Sequence, residues 1–299
     1  MNAVAAALAA ARAVSGGAVT GVYPSLAATD PDLLAAALHR LGEAADVGGD
    51  AAHPFILMSA AKPFVLALAV DLHGEDRVLS LTGMRETGLP FNDVRAIHAG
   101  PGGRTNPMVN PGAITASSLL GEDDAGAGEA RLRAGLSAFA GRDLVADGAM
   151  VEAIHATNHR NRELAGALAA RGLLGTAVED ALHLYTLQSC LAVTVADLAR
   201  MGAVLAAGGV DPVTGVRVVS PAAARVAVEA MALAGLYEGT VAWRGAVGLP
   251  AKSGIAGGMV MVAPGRGSAA AFSPPLDATG NPLRAQVALT ALAPALTRP

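Results

Sequence analysis

Residues 53–70 read HPFILMSAAKPFVLALAV and set a serine and a lysine inside an apolar run. If a helix begins at Ser59, Lys62 lies on the same face one turn later. Burial among apolar residues lowers the pKa of a lysine because it disfavours the charged form. A neutral amine beside a hydroxyl activates serine as a nucleophile. The stretch therefore predicts a catalytic pair of Ser59 and Lys62.

The same two residues have a purely structural interpretation. A serine at a helix start often caps the helix, and a lysine on an apolar face often extends its amine to water. Serine-x-x-lysine is the pattern of penicillin-binding proteins and class A β-lactamases, but it also recurs by chance. The choice between the two interpretations depends on the rest of the chain.

Composition limits the class of protein. The chain has 299 residues, enough for one large domain or two, and 53% of them are hydrophobic while 15% are charged. Aromatic residues make up 3%, so small side chains must fill much of the core. The net charge is −4 and no basic stripe is present, which argues against nucleic acid as a partner.

The amino terminus and the cysteine content bear on location. The alanine-rich segment Met1–Val14 lacks the early basic residues of a secretion signal, so it is predicted to be a helix of the fold. Cys190 is the single cysteine, which rules out an intramolecular disulfide and fits a reducing compartment. No apolar run reaches membrane-spanning length. We therefore expect a soluble, cytoplasmic protein with no membrane partner.

The pattern along the chain changes character twice. Extended or strand structure is predicted for Val22–Leu26, for a hairpin of Leu33–Leu41 and Ala44–Gly48, and for Thr240–Val247, Lys252–Val262 and Ser268–Phe272. The chain from Ser59 to about Ala207 is predicted to be mostly helical, and Ala285–Ala295 to be a closing helix.

These elements predict an α+β fold in which an antiparallel sheet is flanked by helices and an all-helical domain is inserted. Residues 1–58 and 208–299 would together form a discontinuous α/β domain. Residues 59–207 would form the inserted helical domain, which starts with the helix of the serine.

Four further stretches decide between the two interpretations of Ser59 and Lys62. They are NPMVNPGAI at 106–114, HRNR at 159–162, YTLQSC at 185–190 and VGLPAKSGIAGG at 247–258. Together and in this order they resemble the serine-dependent glutaminase family, from about Gly17 to about Arg284. The resemblance implies the fold of β-lactamases and DD-peptidases.

The resemblance also implies roles for the matched positions. Ser59 would be the nucleophile, Lys62 its general base, Tyr185 and Tyr237 the two active-site tyrosines that help proton transfer and hold the substrate, and Asn110 and Asn161 the asparagines that bind glutamine. Ile255 stands where the family has a valine whose backbone N–H forms the oxyanion hole with that of the serine. A backbone donor does not depend on the side chain, and each such donor is worth roughly 3 kcal/mol.

The chemistry of amide hydrolysis agrees with these roles. The reaction needs a nucleophile, a base, an acid for the departing ammonia and an oxyanion site, and it calls for no metal ion or organic cofactor. Taken singly, each tyrosine is more typical of a core, each asparagine of a turn or cap, and Lys252 of a surface. Their joint occurrence with Ser59 favours the catalytic interpretation.

Two departures concern substrate recognition. The family has a tyrosine at the position of Val22, whereas here Tyr23 follows it, and in an extended segment a shift of one residue turns a side chain to the opposite face. The family has a glutamate seven residues before Asn161, and this chain has Ile154 there, with Glu152 nearby. We therefore expect intact catalytic machinery and weakened recognition of the α-amino group.

The leading hypothesis is a serine amidohydrolase that releases ammonia from L-glutamine or a related primary amide through an acyl-serine intermediate. An amidase or esterase of the same fold with another acyl substrate is the first alternative. A catalytically silent binding homologue is the second. The resemblance implies a homo-oligomer, either a dimer or a tetramer.

Overall fold

The computed structural model describes residues 2–297, and the predictions for Met1, residue 298 and residue 299 lie outside this range. Its strands are β1 (Ala35–Arg40), β2 (Asp46–Gly49), β3 (Phe55–Ile56), β4 (Ala192–Val193), β5 (Ala251–Ser253), β6 (Gly258–Ala263) and β7 (Gly267–Phe272). Its α-helices are α1 (Ala3–Arg12), α2 (Pro24–Ala27), α3 (Lys62–His73), α4 (Glu75–Leu81), α5 (Arg95–Ala99), α6 (Asn110–Leu119), α7 (Ala125–Ala140), α8 (Gly148–Thr157), α9 (His159–Ala169), α10 (Val178–Cys190), α11 (Val195–Ala206), α12 (Pro221–Ala234), α13 (Thr240–Ala246) and α14 (Leu283–Thr297). Short 3₁₀ turns cover Met58–Ala61, Pro101–Gly103 and Tyr237–Gly239.

Five strands form one antiparallel sheet in the order β2-β1-β7-β6-β5. The predicted hairpin of the first two strands is confirmed, with Ala36 opposite Gly48. Strands from both ends of the chain therefore meet, because β1 pairs directly with β7. A separate pair, β3 with β4, ties the segment before Ser59 to the end of α10.

Both faces of the large sheet are covered by helices. Helix α11 packs on one face, and α1 and α14 pack on the other. Side chains of β6 alternate between the two cores: Val260 and Val262 join the core with α11, while Met259 and Met261 join the core with α14. Every residue of β6 and β7 is buried as a result. The small side chains of β7 fit this position, because helices pack against the strand from both sides of the sheet.

Helix α3 lies at the centre of the helical region. It contacts α4, α6, α7 and α12, and its residues from Lys62 to Ala67 are all buried. A helix that is apolar nearly all round is expected to be enclosed in this way. The fold prediction, an antiparallel sheet with flanking helices and an inserted helical region, is thus confirmed. The boundaries at residues 58 and 207 stay a proposal. Helix α11 packs on the sheet although it lies before 207, and α12 packs on α3 although it lies after 207.

The prediction of a strand at Thr240–Val247 is wrong, because this segment forms helix α13. Only Thr240 and Trp243 are buried in the helix, a spacing of three that belongs to a helix and not to a strand. The Thr240 hydroxyl donates to Tyr237 O at 2.8 Å, and the Trp243 indole N–H donates to Leu249 O at 2.8 Å. These bonds tie α13 to Tyr237 before it and to Leu249 after it.

The extended segment predicted for Val22–Leu26 is also corrected. The helix α2 begins at Pro24, whose fixed φ and missing N–H suit the first helical position. The run Lys252–Val262 splits into β5 and β6, joined by a turn at 254–257. Helix α14 confirms the closing helix and extends it at both ends. No helix within residues 2–297 is long and apolar enough to span a membrane.

Candidate active site

Ser59 lies in a 3₁₀ turn that runs directly into α3. The Lys62 N–H donates to Ser59 O, so the turn and the helix form one continuous element. Leu57 N donates to Leu191 O at 3.0 Å and fixes the turn to the end of α10. Met58 has a φ of 47°, a conformation that costs energy for a residue with a side chain and that is common at functional sites. Ser59 is half-buried, whereas both of its neighbours are buried.

Lys62 is a buried lysine whose amine is hydrogen-bonded to two neutral groups. Its side chain is at the start of α3 and the residue is 2% exposed. Its Nζ donates to Asn110 Oδ1 at 2.7 Å and, more weakly, to Met108 O at 3.5 Å. Burial lowers the pKa of Lys62 to about 7, because desolvation disfavours the ammonium. A large fraction of the amine is therefore neutral near pH 7.

The predicted asparagines continue from Lys62 as a hydrogen-bonded chain. Asn110, the first residue of α6, donates from Nδ2 to Asn161 Oδ1 at 3.1 Å. Asn161 donates in turn to Asn158 Oδ1 at 2.7 Å. Asn158 is buried between α8 and α9, and sequence reasoning missed it. Its spacing of three from Asn161 was the available signal.

The two predicted tyrosines flank the lysine. Lys62 Nζ lies 5.8 Å from the ring centroid of Tyr185 and 5.8 Å from that of Tyr237. A side-chain hydrogen bond joins Tyr237 to Ser59, and burial raises the pKa of Tyr237 to about 12. Burial also raises the pKa of Tyr185 well above its ordinary value. Both phenols are therefore protonated at neutral pH. Tyr237 has a φ of 54°, a second strained backbone at this site.

A second buried amine lies beside Tyr237. Lys252, on β5, is 0% exposed, and its Nζ is 4.1 Å from the centroid of the Tyr237 ring. The amine donates to Ser253 O at 2.8 Å. Burial, followed by the charge of Lys62, holds the pKa of Lys252 well below its ordinary value. Its strand lies at one end of the large sheet, and the expectation of a surface lysine from sequence alone does not apply here.

The turn after β5 packs against the serine turn. Gly254 N donates to Gly258 O at 2.8 Å. A Cβ on Gly254 would lie 2.5 Å from Leu57 O and 3.2 Å from Ala60 N, so the two backbones touch at this glycine. Ile255 follows directly and is half-buried. This contact brings the backbone of residue 255 next to that of Ser59, and its role in an oxyanion hole stays a prediction.

Tyr23, and not Val22, packs inward. Val22 is 63% exposed, whereas Tyr23 packs against an apolar cluster beside Ser59. Its side chain is hydrogen-bonded to Thr157, and its charge contributes to the raised pKa of Tyr185. The expectation that a shift of one residue turns the tyrosine away is not met. Tyr23 itself has an extended backbone, but α2 begins at the next residue, so the segment does not continue as a strand.

The apolar cluster beside Ser59 includes the predicted departure at Ile154. Its buried members are Leu26, Ile56, Met58, Met150, Ile154, Cys190 and Ala256, and Tyr23, Val151 and Ile255 pack against them. Ile154 is 4% exposed, in the last turns of α8. Burial raises the pKa of the Cys190 thiol to about 12, which makes it a packing residue and not a nucleophile.

The chain is similar to known proteins over nearly its whole length. The sequence profile of the family described as Glutaminase matches residues 17–298. A glutaminase of Clavibacter michiganensis subsp. michiganensis is 43% identical over 279 residues, covering 93% of this chain and 85% of the relative. Glutaminase 2 of Yersinia pestis is 41% identical over 272 residues, covering 91% of this chain and 80% of the relative.

A solved structure extends the likeness to the fold. The probable glutaminase ybaS superposes with a TM-score of 0.94 at 34% identity, over 97% of this chain and 94% of that one. Sequence and structure therefore match over almost the same length. The chain belongs to the glutaminase family, whose members are hydrolases that release ammonia from glutamine.

Proposed function

We propose that this chain hydrolyses the side-chain amide of L-glutamine through an acyl-serine intermediate, with Ser59 as nucleophile and Lys62 as general base. The observation that carries the proposal is the hydrogen bonding of Lys62. A neutral amine has two N–H donors and one lone pair. The donors go to Asn110 Oδ1 and Met108 O, so the lone pair is left for a proton. The depressed pKa of Lys62 makes that neutral form available near pH 7.

In the acylation step, Ser59 Oγ bonds to the amide carbon and its proton passes to Lys62. Collapse of the tetrahedral intermediate breaks the carbon–nitrogen bond. Tyr237, which is hydrogen-bonded to Ser59 and protonated, can pass the proton from the amine to the leaving nitrogen, which departs as ammonia. A proton relay of this kind needs groups in hydrogen-bond reach, and the Ser59–Tyr237 bond supports it.

In the deacylation step, water attacks the acyl carbon and gives a proton to Lys62. The bond from the acyl carbon to Ser59 Oγ breaks, and Lys62 returns its proton to that oxygen. The new carboxyl group loses its proton to water, and glutamate is released. The backbone N–H groups of Ser59 and Ile255 would stabilise the oxyanion in both steps. The contact of Gly254 with the serine turn supports this assignment, because it fixes the spacing of the two backbones. Asn110, Asn161 and Tyr185 would hold the substrate.

The decisive experiment compares Ser59→Ala and Lys62→Ala with the wild type in an ammonia-release assay. We expect Ser59→Ala to abolish hydrolysis and Lys62→Ala nearly to do so, a loss of at least roughly a thousandfold, since both act as one unit. Ser80→Ala is a matched control: its hydroxyl donates to Arg77 O on exposed α4. Mass spectrometry of quenched reactions should find the acyl group on the peptide with Ser59. Wild-type turnover by Ser59→Ala would contradict the proposal.

We also propose that the protein acts in the cytoplasm as a homo-oligomer, a dimer or a tetramer, without nucleic acid. The family likeness supports the oligomer, and the net charge of −4 argues against a nucleic-acid partner. Light scattering of the purified protein would test the assembly. The alternative of a silent binding homologue is disfavoured, because the nucleophile, the base and both tyrosines are present in one connected site.

A further inference from the structure

Asn281 is a buried residue in the turn before α14, outside the residues assigned to catalysis. It is 1% exposed, and its carbonyl oxygen accepts from Asp277 N at 2.8 Å. The Asn281 N–H donates in return to Asp277 Oδ1 at 3.0 Å. These two bonds hold the backbone of Asn281 in place, and its side-chain amide contacts two elements of the candidate active site.

The oxygen of this amide contacts the strand that carries Lys252. Ser253, the last residue of β5, is 0% exposed, and its hydroxyl donates to Asn281 Oδ1 at 2.5 Å. The Lys252 amine donates to Ser253 O at 2.8 Å. The amine of Lys252 and the amide of Asn281 are therefore both bonded to Ser253.

The nitrogen of the amide contacts the turn that carries Tyr237. Asn281 Nδ2 donates to Leu236 O at 3.2 Å, and Leu236 directly precedes Tyr237. Gly239 N donates to the same oxygen at 2.9 Å and closes the 3₁₀ turn around Tyr237. Asn281 Nδ2 also donates to Thr279 Oγ1 at 2.8 Å, within its own turn. The amide thus holds the carbonyl group on which the turn of Tyr237 is built.

The two contacts require an amide and fix its orientation. Leu236 O can only accept, so it faces the NH₂ group, and the amide oxygen then faces the Ser253 hydroxyl. An aspartate at this position would lack the donor, and a leucine would lack both groups. Gly239 leaves room for the amide, since a Cβ on Gly239 would lie 3.2 Å from Asn281 Nδ2.

We infer that Asn281 is a positioning residue: its amide joins the turn of Tyr237 to the strand of Lys252 and so fixes the phenol beside Ser59. The Tyr237 hydroxyl is hydrogen-bonded to Ser59, and the Lys252 amine lies 4.1 Å from the centroid of the tyrosine ring. A shift of the turn would lengthen the bond to Ser59, and proton transfer depends strongly on such distances. The inference rests on the proposed role of Tyr237 in proton transfer.

The test is a double-mutant cycle on kcat for glutamine. Asn281→Ala should lower kcat about thirtyfold, with little change in KM, because Asn281 acts through Tyr237 and not on the bound substrate. Tyr237→Phe removes the hydroxyl that the amide positions. In that background, Asn281→Ala should lower kcat by about threefold at most. An equal fall in both backgrounds would overturn the inference, because a purely structural effect does not depend on the hydroxyl.

Thr279→Val is the matched control. Thr279 is exposed in the same turn and accepts from the same amide, but its replacement leaves the bonds to Ser253 and Leu236 in place. We expect kcat of Thr279→Val to stay within about twofold of the wild type. A loss equal to that of Asn281→Ala would show that the turn as a whole matters, which would overturn the role of the amide.

Ser253→Ala tests the contact with β5 from the other side. It retains the buried amide of Asn281, so it is a test that does not require Asn281→Ala to fold. We expect kcat to fall about fivefold in Ser253→Ala and to show no such fall when the same change is made in Tyr237→Phe. An unchanged kcat in a folded Ser253→Ala would overturn the link between β5 and the turn of Tyr237.

The outcomes for the proposed reaction and for this inference are distinct. If Tyr237→Phe retains the wild-type kcat, the proposed role of Tyr237 fails and the inference with it. If Tyr237→Phe is slow and loses about a further thirtyfold when Asn281→Ala is added, only the inference fails.

Discussion

Lys252 and Tyr237 form a contact at the centre of the site: the amine of Lys252 lies 4.1 Å from the centroid of the Tyr237 ring. The amine of Lys62 is 5.8 Å from the same centroid. The phenol that is bonded to Ser59 is therefore held between two amines from distant parts of the chain, one on α3 and one on β5. The backbone carbonyl of Tyr237, where φ is a strained 54°, accepts from the Thr240 hydroxyl at 2.8 Å.

Lys252→Met should lower kcat for glutamine about tenfold, because the ring of Tyr237 loses a polar neighbour that fixes its position. The pH at which activity rises should stay where it is in the wild type. Burial lowers the pKa of Lys62, and Lys62 stays buried when Lys252 is replaced, so the source of that shift remains. Steady-state rates across pH provide both readouts. An unchanged kcat would contradict a positioning role for Lys252.

Activity should rise with pH through a single ionisation near 7. The pKa of Lys62 is lowered to about 7, and the neutral amine that acts as base is the deprotonated form. Below that pH the ammonium dominates, so kcat/KM should fall about tenfold for each pH unit. The measurement is kcat/KM from pH 5 to 9 with chemistry shown to limit the rate. A flat profile over this range would contradict a neutral lysine base.

Several features of the site follow from the sequence because they depend on local spacing. Ser59 and Lys62 are three residues apart, and the apolar run around them predicts both the enclosed helix and the depressed lysine pKa. The hairpin of β1 and β2 follows from two runs joined at a short turn. In each case the residues that decide the structure are neighbours along the chain.

Other features depend on contacts between distant segments. The burial of Lys252 requires the sheet and the Ser59 turn to close over β5, which no local pattern shows. Short runs separated by glycine and proline predict a strand at Thr240–Val247, but the packing of Trp243 into the core is compatible with helix α13 instead. The placement of Tyr23 depends on a short helix that begins at Pro24.

Burial of the Lys62 amine should lower the free energy of unfolding, and Lys62→Met should show by how much. The folded pKa of about 7 is below the 10.5 of a solvent-exposed lysine, so between these pH values the unfolded chain binds a proton that the folded chain does not. Wild-type stability therefore rises with pH through this window. The penalty is complete below pH 7, at roughly 5 kcal/mol, and it vanishes towards pH 10.5.

The variant also loses the bonds from Lys62 to Asn110 and Met108, which offsets about 2 to 3 kcal/mol of that gain. Lys62→Met should thus be more stable than the wild type by about 2 kcal/mol at pH 6 and less stable at pH 10. Urea unfolding at the two pH values measures the difference. A variant that is less stable at pH 6 would show that the buried amine carries no such penalty.

The turn after β5 touches the turn of Ser59 at Gly254, and Gly254→Ala tests the oxyanion site proposed there. Gly254→Ala would place a methyl group 2.5 Å from Leu57 O, against backbone that has little freedom to move. The turns must separate by several tenths of an ångström, which misplaces the N–H of Ile255 relative to that of Ser59. Because oxyanion stabilisation depends on donor distance, we expect kcat to fall about a hundredfold with a smaller change in KM.

Gly245→Ala is the control, since that glycine is exposed on α13 with no atom within 4 Å of an added Cβ. Circular dichroism and thermal unfolding separate loss of rate from loss of fold. If a well-folded Gly254→Ala retains full kcat, the backbone of residue 255 is not part of the oxyanion site.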